Sequence, residues 1–210
     1  VNERVLRLAA AQSGDIRTRL EAEGVRLIEG SGRLDGTEWV VASTADGEER
    51  LRADIILLAT GTTPRELPAA RPDGERILTW TQLYGLSELP KRLIVVGSGV
   101  TGAEFASAYN ALGADVVLVS SRDQVLPGED ADAGRVVQQV FERSGMTILA
   151  RSRAHAARVV GDEVVVELAD GRTVTGSHCL MAVGSTPNTA GIGLESAGVA
   201  LDERGYIRVD

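Results

Sequence analysis

The apolar positions of this chain change period along its length, and each change marks an element. Val5, Leu8, Ala9, Ile16 and Leu20 fall near helical spacing, which predicts a helix over 3–23, broken around Ser13-Gly14 and stopped by Gly24. Residues 25–28 read as a short strand and Gly30-Ser31-Gly32 as a turn. Stretches at 38–43 and 49–52 flank Asp46-Gly47, a pair that favours a tight hairpin. The apolar run at 54–59 has the length of a buried strand and ends in Thr60-Gly61. Pro64, Pro68 and Pro72 then interrupt the pattern, and with Leu89-Pro90 they predict a linker into a second unit.

That second unit reads strand (92–96), Gly-rich turn, helix (99–112, ended by Gly113), strand (114–119). A further helix over 131–144 ends at Gly145, and a third strand follows at 146–150. Segments 157–160, 164–168 and 172–174, turning at Asp170-Gly171, predict a meander, and 178–183 a last buried strand. There is an internal echo. The Asp46-Gly47 hairpin leads to Ala59-Thr60-Gly61-Thr62-Thr63-Pro64, and the Asp170-Gly171 hairpin leads to Ala182-Val183-Gly184-Ser185-Thr186-Pro187. Two units of similar build would produce it.

Composition changes this picture little. Hydrophobic residues at 43% and charged residues at 25% suit an ordinary globular chain, and no run approaches the roughly 18 apolar residues of a membrane span. The net charge of -8 argues against nucleic acid or an anionic membrane as partner. It also means that an anionic ligand must be held by local features. One cysteine, Cys179, allows no intrachain disulfide, so a reducing, cytoplasmic setting is expected. Its apolar strand makes it a small buried hydrophobe, and no His or Cys spacing suggests a metal. The chain opens with Val1 in what reads as mid-protein helix, so an internal piece of a longer protein is expected.

The candidate chemistry lies in Gly97-Ser98-Gly99-Val100-Thr101-Gly102, directly after the strand Leu93-Ile94-Val95-Val96. Gly97 permits the tight bend, Gly99 leaves room for a pyrophosphate against the backbone, and Gly102 with Ala106 lets helix and strand approach closely. The helix start offers unpaired N–H groups and a partial positive charge to phosphate. About 20 residues on, a carboxylate would ordinarily take the ribose 2′-OH of NAD. Here stand Ser120-Ser121-Arg122, two hydroxyls and a guanidinium, which lean toward NADPH, with Asp123 close enough to offset part of the arginine's charge. Glu104 lies further along the same helix, either as a dipole contact or facing the nicotinamide. Arg151 and Arg153 could touch a phosphate near Ala154, but solvated surface is the preferred reading.

These residues resemble the flavoprotein pyridine nucleotide-disulfide oxidoreductases, the family of lipoamide dehydrogenase and glutathione reductase. The resemblance rests on Ala59-Thr60-Gly61, the stretch from Gly97 to Ala106 with Glu104, Val125-Leu126-Pro127 with Glu129-Asp130, and Ala182-Val183-Gly184-Ser185-Thr186-Pro187-Asn188. Thr79-Trp80, Gln82-Leu83-Tyr84 and Gly176-Ser177-His178 look most like its lipoamide-dehydrogenase-like NAD(P)H quinone reductases.

The resemblance implies an α/β fold in which a Rossmann-like dinucleotide-binding domain, a parallel sheet plus β-meander, is inserted into part of a second, FAD-type domain. Residues 1–88 would be the later part of the FAD domain, 89–176 the NAD(P) domain and 177–210 the return. It places Gly32 and Ala59, Thr60 and Gly61 against FAD, and Gly97 to Val100, Ser120 to Arg122, Ala154 and Gly184 along the pyridine nucleotide. It implies hydride transfer from NAD(P)H to FAD and then to a small acceptor, a quinone or a disulfide, in a homodimer. A lipoamide dehydrogenase or other disulfide reductase, and a non-catalytic nucleotide-binding or redox-sensing module, are the competing readings. The family's first FAD motif, its Cys-x4-Cys pair and its dimerisation domain have no counterpart in these residues, and Ser120 and Ser185 replace a family carboxylate and arginine.

Overall fold

A computed structural model describes residues 1–209. In chain order the elements are α1 (Asn2–Ala22), β1 (Ser31–Leu34), β2 (Trp39–Thr44), β3 (Gly47–Arg52), β4 (Thr62–Pro64), β5 (Ile77–Leu78), α2 (Trp80–Leu83) and β6 (Arg92–Val96). Then come α3 (Val100–Ala111), β7 (Asp115–Val119), α4 (Ala131–Arg143), β8 (Thr147–Leu149), β9 (Ala154–Val160), β10 (Glu163–Leu168), β11 (Thr173–Gly176), β12 (His178–Met181) and β13 (Ser185–Pro187). Two compact units result. One joins Val1–Val5 to Pro64–Gly184, and the other joins Leu6–Thr63 to the residues from Ser185 onward.

The first unit is built on a parallel sheet in the order β5-β12-β6-β7-β8. Parallel neighbours need a crossover, which α3 supplies between β6 and β7 and α4 between β7 and β8. The sheet is apolar on both faces because both are covered. Leu93, Val95, Val116 and Leu118 face a layer that includes Ala103, Ala106 and Phe141 of the two helices. Their neighbours Ile94, Val96, Val117 and Val119 face the other way, onto Val164, Val166 and Leu168 of the antiparallel meander β9-β10-β11. Leu93, Ile94, Val95, Val116 and Leu118 have no exposed surface, and burial of such a side chain contributes about 1.5–3 kcal/mol. The central strand therefore cannot move without breaking two cores. The two helices start differently. Asp130 caps α4, its carboxylate accepting from the N–H groups of Asp132 (2.9 Å) and Ala133 (3.0 Å). The start of α3, at Gly99, has no side-chain cap.

The segment expected to be a linker is part of this unit. Ile77 and Leu78 form the edge strand β5 beside β12, and Thr79 starts α2 with a capping box to Gln82. Prolines punctuate the stretch, but Leu78 and Leu83 are fully buried and tie it down.

In the second unit β1, β2 and β3 form an antiparallel sheet, the last two joined through Ala45-Asp46 as the hairpin signal predicts. Strands β4 and β13 pair with each other. Three expectations fail here. The first helix runs unbroken through Ser13-Gly14, since a mid-helix glycine costs only about 1 kcal/mol and Thr18 bonds back to the Gly14 carbonyl at 3.0 Å. The expected turn at Gly30-Ser31-Gly32 is largely strand, because Ser31–Leu34 pair with β2. Residues 25–28 and 54–59 are not strands: Ile55 and Leu57 are 89% and 88% exposed, and no neighbouring strand pairs with either run among the described residues. An apolar run becomes a strand only when a partner accepts its backbone hydrogen bonds. The internal echo is correspondingly partial. Both meanders form, but the second feeds the buried β12 and the first feeds a largely exposed segment that is not a strand.

Candidate functional site

A cleft of about 570 Å³ opens at the carboxyl ends of β6, β7 and β12, lined there by Val96, Val119 and Ala182. This is the switch point of the sheet. From β6 the chain passes through α3 to β7 on one side, whereas β12 on the other side arrives only after the meander. In open α/β sheets such a crevice is where ligands bind.

The glycines of the turn serve different needs. Gly97 sits at φ 113°, and a Cβ there would collide with the Ala182 carbonyl oxygen. A Cβ on Gly102 would collide with the Gly97 carbonyl oxygen, so this position sets the approach of helix to strand. Gly99 has neither constraint. Its φ of -68° and ψ of -176° are open to any residue, and a Cβ would meet nothing within 4 Å. The space beside it is the cleft, which Gly97, Ser98 and Gly99 all line. With no side-chain cap and no acidic residue in its first turn, α3 presents its free N–H groups and positive dipole end there.

The cleft is positively charged in an acidic protein. Arg65, Arg122 and Arg153 line it, and no Asp or Glu does among the described residues. Asp123 forms its ion pair with Arg151, at 2.7 Å, and none with Arg122 among the described residues. Neither Arg122 nor Arg153 forms an ion pair among the described residues, whereas the nearby Arg172 is held by Asp170 at 2.7 Å. Arg65 donates to the Val183 carbonyl at 2.7 Å, which holds its guanidinium near the rim.

Of the residues singled out in the sequence, Gly97, Ser98, Gly99, Ser121, Arg122, Ala154 and Gly184 line this one cleft. Val100, Thr101 and Gly102 form the first turn of α3 beside it. Ser120 is different: it is fully buried and does not line the cleft. Its Oγ is engaged by the Ser98 Oγ (2.7 Å) and the Arg122 N–H (3.1 Å), so it is not free for a ribose. Glu104 is exposed and borders a separate, mostly apolar groove with Val100, Ala103, Leu126 and Phe141. Gly32, Ala59, Thr60 and Gly61 are exposed residues of the second unit. Cys179 is completely buried, and burial pushes its thiol up to about 12.

Sequence reasoning missed Arg65, Leu67 and Ser152, and it set Arg153 aside as solvated. For Arg153 the signal, its place immediately before Ala154, was visible but was outweighed by the preference of an arginine for solvent. Arg65 had none, because only the bonds to Val183 and from its own N–H to the Gly184 carbonyl bring it to the cleft.

Comparison with known proteins identifies the family and the recurrence of this fold. The chain is 51% identical over 217 aligned positions to an NAD(P)H dehydrogenase (quinone) of Mycobacterium tuberculosis, covering all of this chain and 44% of the relative. It is 36% identical over 208 positions to a dihydrolipoyl dehydrogenase of Zymomonas mobilis, covering 97% of this chain and 44% of the relative. The crystal structure of LpdA from Mycobacterium tuberculosis superposes with a TM-score of 0.92 at 50% identity, over 100% of this chain and 47% of that one. The chain thus spans less than half the length of the curated relatives it matches. The profile of the pyridine nucleotide-disulphide oxidoreductases matches residues 3–210, and the chain belongs to that family.

Proposed function

We propose that this chain is the pyridine-nucleotide-binding part, with a share of the FAD-binding part, of a flavoprotein oxidoreductase. The intact protein would pass hydride from NAD(P)H to FAD and electrons on to a quinone or a disulfide. Family membership implies FAD and NAD(P)H. The acceptor classes follow the names of the relatives, a quinone dehydrogenase and a dihydrolipoyl dehydrogenase. A cytoplasmic homodimer belongs to the same reading, the setting in line with the single cysteine.

The observation that carries the proposal is the uncapped start of α3 beside Gly99, in a cleft with three guanidiniums and no carboxylate among the described residues. The residues fit the cofactor. The first amides of α3 would hold the pyrophosphate, while Ser121, Arg122 and Arg153 would receive a 2′-phosphate at the far end of β7. Ala154 and Gly184, small residues, leave the walls between them open. When bound, the pyridine nucleotide supplies the hydride; the protein supplies position and electrostatics. On the flavin side, Gly32 and the Ala59-Thr60-Gly61 turn are assigned by resemblance.

NADPH is the favoured nucleotide because, among the described residues, Arg122 forms no ion pair and no carboxylate lines the cleft to repel a phosphate. Arg122→Ala is expected to weaken NADPH binding by about 1–3 kcal/mol, the value of a charged hydrogen bond, with NADH binding nearly unchanged. Calorimetric titration of both nucleotides measures this, and equal losses would remove the selectivity argument. The intact protein is expected to be yellow and to be bleached anaerobically by NADPH. A purified protein without flavin absorbance, or with flavin that NADPH leaves oxidised, overturns the proposed reaction.

A further inference from the structure

The reading of the cleft as a nucleotide site leaves Ser120 unexplained. It stands where a ribose-binding carboxylate would stand, yet its hydroxyl points into the protein. Its Oγ bonds the Ser98 Oγ at 2.7 Å, accepts from the Arg122 N–H at 3.1 Å and lies 3.1 Å from the Arg122 carbonyl oxygen. A serine that bonds the backbone two residues on closes a small turn and fixes the residue at its end. Here that residue is Arg122. The same turn is held from two sides. Ser98, in the dinucleotide turn, also accepts the Leu126 N–H at its carbonyl (2.8 Å). On the opposite side the Ser152 N–H donates to the Ser120 carbonyl (2.7 Å), and the Arg151 N–H to the Arg122 carbonyl (2.9 Å). Ser152 is itself buried, with its Oγ taking the Arg172 guanidinium at 2.7 Å, and it directly precedes Arg153.

We infer that Ser120 is a positioning residue for nucleotide selectivity. Its buried hydroxyl, tied to Ser98, sets the backbone that carries Arg122 at a fixed distance from the pyrophosphate turn. The hydroxyl acts through the arginine and makes no contact with the nucleotide. Two features support a role beyond filling space. A valine or alanine would suit this apolar strand end as well as a serine does. The bonds of the Oγ run to Ser98 of the dinucleotide turn and to Arg122, both of which line the cleft. The inference rests on the proposal that the cleft binds a pyridine nucleotide and deepens it.

The test is a double-mutant cycle in the intact protein, with NADPH and NADH titrated against each variant. Wild-type protein is titrated first; if neither nucleotide binds, the nucleotide reading itself falls, and this inference falls with it. Given binding, Ser120→Ala is expected to raise the NADPH Kd about tenfold, the loss of one buried hydrogen bond's worth of ordering, and to leave the NADH Kd within about twofold. In an Arg122→Ala background the same change is expected to have less than about a twofold effect, because the group it positions is gone. Equal losses for the two nucleotides, or an undiminished effect in the Arg122→Ala background, overturn the inference while the nucleotide site stands. Should Ser120→Ala not fold, Ser120→Cys keeps the shape of the side chain at a slightly larger volume and replaces the oxygen with a weakly bonding sulfur. It is expected to shift selectivity in the same direction, and unchanged selectivity overturns the inference.

Discussion

Gly99→Val is expected to abolish pyridine nucleotide binding, a loss of more than about a hundredfold in affinity, while the fold persists. Close approach of a phosphate to the amides at a helix start leaves no room for a side chain between them. Valine at 99 would project into the cleft, where a Cβ meets no protein atom within 4 Å. The backbone there, φ -68° and ψ -176°, is one that a β-branched residue adopts readily. The cost to stability is limited to that of a poorer N-cap, about 1 kcal/mol. Titration of NADPH alongside a thermal melt separates the effects. Retained affinity would mean that the nucleotide does not lie over this turn.

Gly102→Ala is expected to show the opposite signature, a destabilised protein whose binding fails only because the fold does. Its Cβ would overlap the Gly97 carbonyl oxygen and lie 3.4 Å from the Ala182 Cβ. Backbone cannot rotate away as a side chain can, and Gly97 is itself pressed against Ala182. Alanine's better helix propensity returns only about 1 kcal/mol. Overpacking of this kind costs about 3 kcal/mol at the upper end of its range, so a clearly lowered denaturation midpoint is expected. An unchanged midpoint would show that α3 can lift off β6 freely, and would weaken the account of how the turn is built.

The contrast explains what was legible in the sequence. The strand, turn, helix, strand unit was readable because its glycines, its apolar alternation and its stops all follow local rules. The Gly97–Gly102 turn and Arg122 beside the cleft were readable for the same reason. Other features were set by partners distant in the chain. Arg65 reaches the site through Val183, 118 residues away. Ser120 looked like a surface ligand because sequence does not show which way a hydroxyl turns at a strand end. Asp123 seemed a neighbour of Arg122, but the turn carries it to Arg151. The 54–59 run had the composition of a strand but pairs with no strand among the described residues, so its outward Ile55 and Leu57 could not have been told from core residues by hydropathy alone.

Burial of Cys179 between the two layers of the first unit has a chemical consequence. Alkylating agents and oxidants attack the thiolate, and a thiol raised to about 12 offers almost none at neutral pH. The sulfur is also out of a reagent's reach. Inactivation of the intact protein by iodoacetamide or peroxide would therefore report on a different residue, and the sulfhydryl of β12 would react only once the sheet has come apart.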